Sequence, residues 1–379
     1  MLALGGVLGV GNIVGVSAAI FYGGAGAVFW MCTTACVASV LKYAETILAL
    51  SRRRSTAEYI KDALGERGLA RAGKYLSIIF AILCLCNSLS MGCLIQINAV
   101  TGVCESILGA NPTFIGIICA ILVIAVSSGG LRRISDVTNK IVPFMSVLFL
   151  ALSITALILK ADRLPNVIKD ILSSAFEFKS EGILGGIGGF FISKGVRLGI
   201  TRGLISNEAG AGTSPMAHSA SSNDSPAEQG FLSILEVLID TVLLCTLTAL
   251  VILASYHEVE HFGENSVMMT LAAYSSAIGK WSEPILCGLI LLFGLATVFC
   301  QCFYAQSCLS VITNRKAARV ILIIIYGAAA FVASRTPPGK IWDLADLSIG
   351  LMTLINLFVL FLERKRIKKE TLCYFNKDR

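Results

Sequence analysis

The sequence predicts an all-α polytopic membrane protein of about ten transmembrane helices, and three observations carry that expectation. Only 15% of the 379 residues are charged, while 55% are hydrophobic; a soluble domain carries about 25% charge. The deficit is concentrated, with no Asp, Glu, Lys or Arg in 1–41, 75–104, 110–131, 141–159 or 284–314. About 20 helical residues cross roughly 30 Å of hydrocarbon, so charge-free runs of this length read as spans. Basic residues, finally, recur in alternate connecting segments, as a topogenic signal does.

The expected spans, in order, are 1–20, 22–48, 74–104, 112–130, 139–160, 183–204, 229–255, 283–313, 318–334 and 343–363. The segments after the second, fourth and eighth spans and the tail 364–379 hold 20 of the 31 Lys and Arg; the intervening segments hold seven. That alternation places both termini in the cytoplasm of a multi-pass cell-membrane protein. Ser55 and Glu58 have capping-box spacing at the head of a short inner amphipathic helix. Residues 166–178 form an amphipathic outer helix, either over a cavity mouth or simply on the surface. The net charge of +7 is spread among loops rather than gathered into one patch, so no nucleic-acid partner is expected. The 13 cysteines lie mainly in apolar spans without finger-like pairing and read as reduced core residues.

Repetition supplies a second layer. Glycines interrupt the first span (Gly5, Gly6, Gly9, Gly11) and the sixth (Gly182, Gly185, Gly186, Gly188, Gly189), at matching places in two groups of five. Such interruptions mark inverted-repeat transporters with a midplane site, although glycine also serves close helix packing. The repeats would be 1–160 and 183–363 of a single transporter domain.

The residues carry a resemblance. Gly9-Val10-Gly11-Asn12-Ile13 and Gly23-Gly24-Ala25-Gly26-Ala27-Val28-Phe29-Trp30-Met31 resemble the opening signature of the alanine/glycine:cation symporter family. Leu41-Lys42-Tyr43-Ala44-Glu45, Val142-Pro143-Phe144-Met145, Ser206-Asn207-Glu208-Ala209-Gly210, Pro215-Met216-Ala217-His218 and Trp342, Ala345 and Asn356 follow in the same order. The resemblance implies a five-plus-five inverted-repeat (LeuT-like) fold and import of alanine or glycine by symport with sodium, or with protons. It implies no cofactor beyond the coupling ion and no enzymatic activity. Three departures stand out. The chain begins inside the first core span, which leaves a truncated, inactive member as the alternative expectation. Val10 replaces a usual threonine, and Gln301 a usual tryptophan.

A zwitterion in a membrane needs partners for both charges. A broken helix exposes N–H groups on one side and carbonyls on the other, so Gly9, Val10 and Gly11 are candidates for the carboxylate. Carbonyls near Gly185, Gly186, Ile187 and Gly189 are candidates for the ammonium. The resemblance adds Gln96, with Ile187, Leu295 and Gln301 as further candidates for the side-chain pocket. Its distant fold relatives suggest the carbonyls of Gly5 and Leu8 with Thr297 for sodium, and Asn12 for a second cation; Asn12 and Thr297 could equally cap local backbone.

Ionisable groups in spans are functional by default. Glu236 and Asp240, four apart, are expected to pair with Arg197 or Arg202 as a cytoplasmic gate or a static bridge. One motif competes: His257-Glu258-Val259-Glu260-His261 fits H-E-x-x-H, the pattern of a zinc metalloprotease. It falls in an outer loop, Gly263 interrupts any continuing helix, and no third ligand is evident. A solvated loop accounts for it better, and no transition-metal site is expected.

Overall fold

A computed structural model describes residues 1–177, 193–262, 265–336 and 339–376. All regular structure among the described residues is helical, as expected for a chain whose backbone must satisfy itself in lipid. The first span is broken: α1 is Leu2–Val7, a single 3-10 turn covers Val10–Asn12, and α2 is Val14–Gly23. The long α3 (Gly26–Arg52) follows a turn at Gly24, whose φ of 77° suits glycine. Next come α4 (Thr56–Gly65), α5 (Ala70–Leu108), α6 (Pro112–Ser127), α7 (Gly130–Leu159) and α8 (Leu164–Phe176). After the undescribed 178–192 come α9 (Lys194–Asn207), α10 (Ser214–His218) and α11 (Pro226–Ala254). The last are α12 (Ser266–Ile278), α13 (Ser282–Ile312), α14 (Lys316–Ala333) and α15 (Gly339–Asn376).

Seven of these helices are long and apolar enough to cross a membrane, and Val10–Gly23, Pro112–Ser127 and Ser266–Ile278 are shorter apolar helices. The chain is therefore a polytopic membrane protein. The sequence boundaries hold to within a few residues for most spans. Within the expected 183–204 span, residues 183–192 lie outside the described residues and α9 begins at Lys194. Two differences stand out. The loop expected at 256–282 contains α12, whose 13 residues are too few for a span signal yet bury Met269, Leu271 and Tyr274. The basic tail does not leave the last span but extends it as helix to Asn376.

α13 is the central element: most of its apolar stretch is buried inside the protein, against α1, α5 and α7. α9 and α3 approach closely along Gly195, Gly199 and Gly203. A Cβ at Gly199 would stand 2.4 Å from the Ala27 carbonyl oxygen, and one at Gly203 3.0 Å from that of Met31. Small residues one turn apart bring membrane helices into such contact. The outward faces of α6 and α14 expose Ile117, Ile121, Val320, Ile321 and Ile324, an apolar belt suited to lipid.

At the basic end, Ser55 N–H donates to Glu58 Oε2 (2.9 Å), completing the expected box at the head of α4. There Arg52 grips Glu66 (2.8 Å) and Glu363 (2.9 Å), and Arg67 also meets Glu363 (2.6 Å), tying α3 and α4 to α15. All 13 cysteines are free thiols, nine of them buried.

Candidate functional site

Three elements meet at the break in the first span. α1 stops at Val7, Leu8 takes φ −73° and ψ 79°, and Gly9 is extended at φ −118° and ψ −168°. The carbonyls that end α1 therefore lack the usual next turn. Thr297 on α13 supplies one substitute: its hydroxyl donates to the Gly5 and Leu8 oxygens, both at 3.2 Å. On the other side, Gln96 Oε1 accepts from Val10 N–H at 2.8 Å. Gln96 directly follows a π-helical stretch, Ser90–Ile95, and its Nε2 donates back to the Met91 carbonyl (3.2 Å). Such stretches frequently sit at functional sites.

A side chain at position 9 would push its neighbours aside, because a Cβ there would stand 2.8 Å from Thr297 Oγ1 and 2.9 Å from Gln96 Oε1. Gly11 is the opposite case, with no described atom within 4 Å of where its Cβ would be. Gly5, Leu8, Gly9, Val10, Gln96 and Thr297 are thus one contact set. Leu295 is buried on α13 two residues before Thr297. Gly185, Gly186, Ile187 and Gly189 lie outside the described residues.

Asn12 links the break to a buried carboxylate. Its Oδ1 accepts from Gly9 N–H (3.2 Å), and its Nδ2 donates to Asp240 Oδ1 (2.6 Å). The Ser206 and Thr241 hydroxyls donate to Asp240 Oδ2 at 2.8 and 2.7 Å. Asp240 occupies a second π-helical stretch, Leu238–Cys245.

The expected pairing of Glu236 and Asp240 with Arg197 or Arg202 is not the one found. Glu236 pairs instead with Lys42 Nζ and His218 Nε2, each at 3.1 Å. Arg197 is exposed and has no ion pair among the described residues. Arg202 faces Asp346 at 3.8 Å and lies over the Trp342 ring, 4.3 Å from its centroid. Gln301, one turn beyond Thr297 on α13, donates through Nε2 to Glu208 Oε1 (2.7 Å), and its Oε1 accepts from Ser88 (3.3 Å).

Between the break and the basic end lies a buried polar layer around the 207–213 turn. Lys42 Nζ donates to the Asn207 carbonyl (2.8 Å), Thr213 to Glu208, and Gly212 N–H to Glu45 Oε2 (3.1 Å). Asn356 joins Glu45 (2.9 Å) to the Gly210 carbonyl (2.8 Å). The turn requires left-handed backbone at Glu208, Gly210 and Gly212, which explains glycine at two of the three. The readable signal here is Lys42 with Glu45, two opposite charges three residues apart within one span.

A cavity of about 510 Å³ opens on the end of the bundle opposite the basic loops. Val14, Ile95, Asn98, Glu105, Arg202 and Trp342 are among its lining residues. Ile95 adjoins Gln96 in sequence, so the floor of the cavity lies next to the break. α8 does not line it among the described residues; it packs on α3, where Trp30 Nε1 donates to the Ala175 carbonyl (3.0 Å).

The zinc reading fails on geometry. Glu258, its would-be base, is held by Arg163 (2.8 Å), Lys160 (3.1 Å) and the Ser276 hydroxyl. These partners, Ser276 foremost, hold its carboxyl down at about 2, a value suited to a structural anion. His261 lies against Phe262, 4.0 Å between ring centroids. No group of three potential ligands that could hold a metal occurs among the described residues.

Comparison with known proteins gives a consistent picture. The model of the sodium:alanine symporter family matches residues 1–379. The amino-acid carrier protein AlsT of Bacillus subtilis is 32% identical, over 94% of this chain and 75% of its own length. The sodium/alanine symporter AgcS of Methanococcus maripaludis is 31% identical, over 98% and 82%. The probable sodium/glutamine symporter GlnT of B. subtilis is 32% identical, over 94% and 74%.

Proposed function

We propose that this chain, which belongs to the sodium:alanine symporter family, imports alanine or glycine by symport with sodium. The family is one of transporters, not enzymes. The observation that carries the reading is the broken first span. At one point in the protein core it leaves the Gly5 and Leu8 carbonyls on the Thr297 hydroxyl, and the Val10 N–H on Gln96. Carbonyl oxygens and a hydroxyl are a donor set that sodium accepts, and backbone N–H groups are one that a carboxylate accepts. Gly5, Leu8 and Thr297 then hold the cation, while Gly9, Val10, Gly11 and Gln96 receive the amino acid. Asn12 connects the two functions through its bonds to Gly9 and Asp240. The carboxylate is met by main chain, so recognition needs no hydroxyl at position 10.

Transport follows alternating access in a five-plus-five fold, with 183–363 as the inverted counterpart of 1–160. The basic loops and both termini face the cytoplasm, which makes the 510 Å³ cavity the external vestibule. The buried layer around Lys42, Glu208 and Glu236 closes the cytoplasmic path. Coupling requires each ligand to raise the affinity of the other by the same factor.

The test is uptake of labelled alanine, glycine and glutamine into proteoliposomes, with and without an inward sodium gradient. Accumulation of alanine or glycine that collapses without the gradient supports the proposal. Uptake of none of the three, or uptake indifferent to sodium and to pH, refutes it.

A further inference from the structure

The buried polar layer between the break and the basic end holds more acid than base. Glu45, Glu208 and Glu236 are all buried there, and Lys42 is the cation within electrostatic reach of the three. The other titratable groups facing them are Tyr59 on α4, His218 on α10 and Tyr304 on α13. Among the described residues the layer's ion pairs are Lys42–Glu236 and His218–Glu236, which leaves Glu45 and Glu208 with none. Fully ionised, the layer would carry two net negative charges with His218 neutral, and one with it protonated. A buried charge without a counter-ion is costly inside a membrane protein. A proton on one carboxylate removes it.

The hydrogen bonds single out which one. Glu236 meets Lys42 and His218, each at 3.1 Å. Glu208 accepts at both oxygens, from Gln301 (2.7 Å) and from Thr213. Glu45 is lopsided. Its Oε2 accepts from Gly212 N–H (3.1 Å) and Asn356 Nδ2 (2.9 Å), whereas its Oε1 is buried with no partner among the described residues. The Tyr59 hydroxyl donates to Asn356 Oδ1 and so holds that amide with its nitrogen toward Glu45. Two donors on one oxygen and none on the other suit an un-ionised carboxyl, with Oε2 as its carbonyl and Oε1 as its hydroxyl.

We propose that Glu45 is a proton-binding site, holding a proton on Oε1 while the cytoplasmic path is closed and releasing it to cytoplasmic water when the path opens. On release the O–H bond breaks and its electron pair stays on the carboxylate, with Lys42 as the counter-charge within reach. One proton thereby links the inner layer to cytoplasmic pH: acid on that side keeps the layer closed. The release rests on the carrier reading above; the proton on Glu45 does not.

The experiment is infrared spectroscopy of the full chain in lipid nanodiscs, read at the C=O band of un-ionised carboxyls. At about pH 7 exposed carboxyls are ionised, so the band reports buried acids. The parent-minus-Glu45→Gln difference should contain it. A second reading guards against a variant that folds poorly: the parent is recorded alone. No such band in the parent, or a difference spectrum without it, overturns the proposal. Release is read in proteoliposomes with the basic loops facing the lumen, at fixed external pH. Acidifying the lumen should slow sodium-driven alanine uptake by up to about ten-fold per pH unit, the limit for one proton, and Glu45→Gln should lose that dependence. Uptake indifferent to lumenal pH overturns the release. The band found in protein without sodium-driven uptake would sustain the proton site and sink the carrier reading.

Discussion

Replacing Gly9 by alanine probes the break with the smallest possible perturbation. The backbone there, at φ −118°, is open to any residue, so the new methyl group acts only through what it touches. Its carbon would stand 2.9 Å from Gln96 Oε1 and 2.8 Å from Thr297 Oγ1, whereas ordinary contact begins near 3.4 Å. Each oxygen must retreat by about half an ångström. A retreat of that size takes the 2.8 Å bond from Val10 N–H toward or past the usual limit. It also strains the two 3.2 Å bonds that Thr297 makes to Gly5 and Leu8. At about 1 kcal/mol for each bond lost, the three are worth roughly 2–3 kcal/mol. If sodium and substrate read this geometry, their apparent affinities fall by roughly 30- to 150-fold. The assay is sodium-driven alanine uptake in proteoliposomes, with melting temperature measured in parallel. Gly11→Ala is the paired control for stability, since its methyl group meets no described atom and should leave the melting temperature unchanged. Gly9→Ala uptake within two-fold of the parent, at unchanged sodium dependence, would refute the reasoning.

Thr297→Val keeps the side-chain shape and removes the hydroxyl bridging two carbonyls; the sodium concentration for half-maximal uptake should rise about 5- to 100-fold, and an unchanged value excludes Thr297 as a ligand. Lys42→Met leaves Glu236 buried without its lysine counter-ion, a loss of about 3–5 kcal/mol. Lowered melting temperature in the single variant, partly restored in Lys42→Met/Glu236→Met, is the expected pattern, and a single variant as stable as the parent contradicts it. Glu258→Gln removes an anion whose folded carboxyl titrates near 2, below its ordinary value of 4.5. The stability it contributes is therefore complete above about 4.5 and lost as pH falls toward 2. The melting-temperature gap between parent and variant should be constant from pH 5 to 8 and shrink below pH 4; a gap that widens in acid would be the wrong sign.

How much of this was legible follows from where the information resides. Gly9-Val10-Gly11-Asn12 announces a broken helix, because glycine weakens the segment locally and the residues around it are apolar. Gly5, Leu8 and Thr297, some 290 positions apart in sequence, were associated through family resemblance; no local pattern contains that contact. The sequence pairs Arg202 with Glu236 or Asp240, whereas it faces Asp346 and lies over Trp342, because which side chains α9 meets is set by tertiary packing that no local pattern contains. Glu236 meets Lys42 and His218 and Asp240 meets Asn12 and Ser206, and these partners are too distant in sequence for helical spacing to reveal. The short α12 escaped notice because its 13 residues resemble any moderately apolar loop helix.

Central to the proposed mechanism is an unwound turn after Val7 that holds a sodium ion and an amino acid together. The direct measurement is a reciprocal pair of titrations on the reconstituted protein: labelled alanine binding across sodium concentrations, and labelled sodium binding across alanine concentrations. The account predicts that each ligand tightens the other by the same factor, and that Thr297→Val shrinks both factors alike. Alanine and sodium binding that are independent of each other, with both left intact by Thr297→Val, would contradict it.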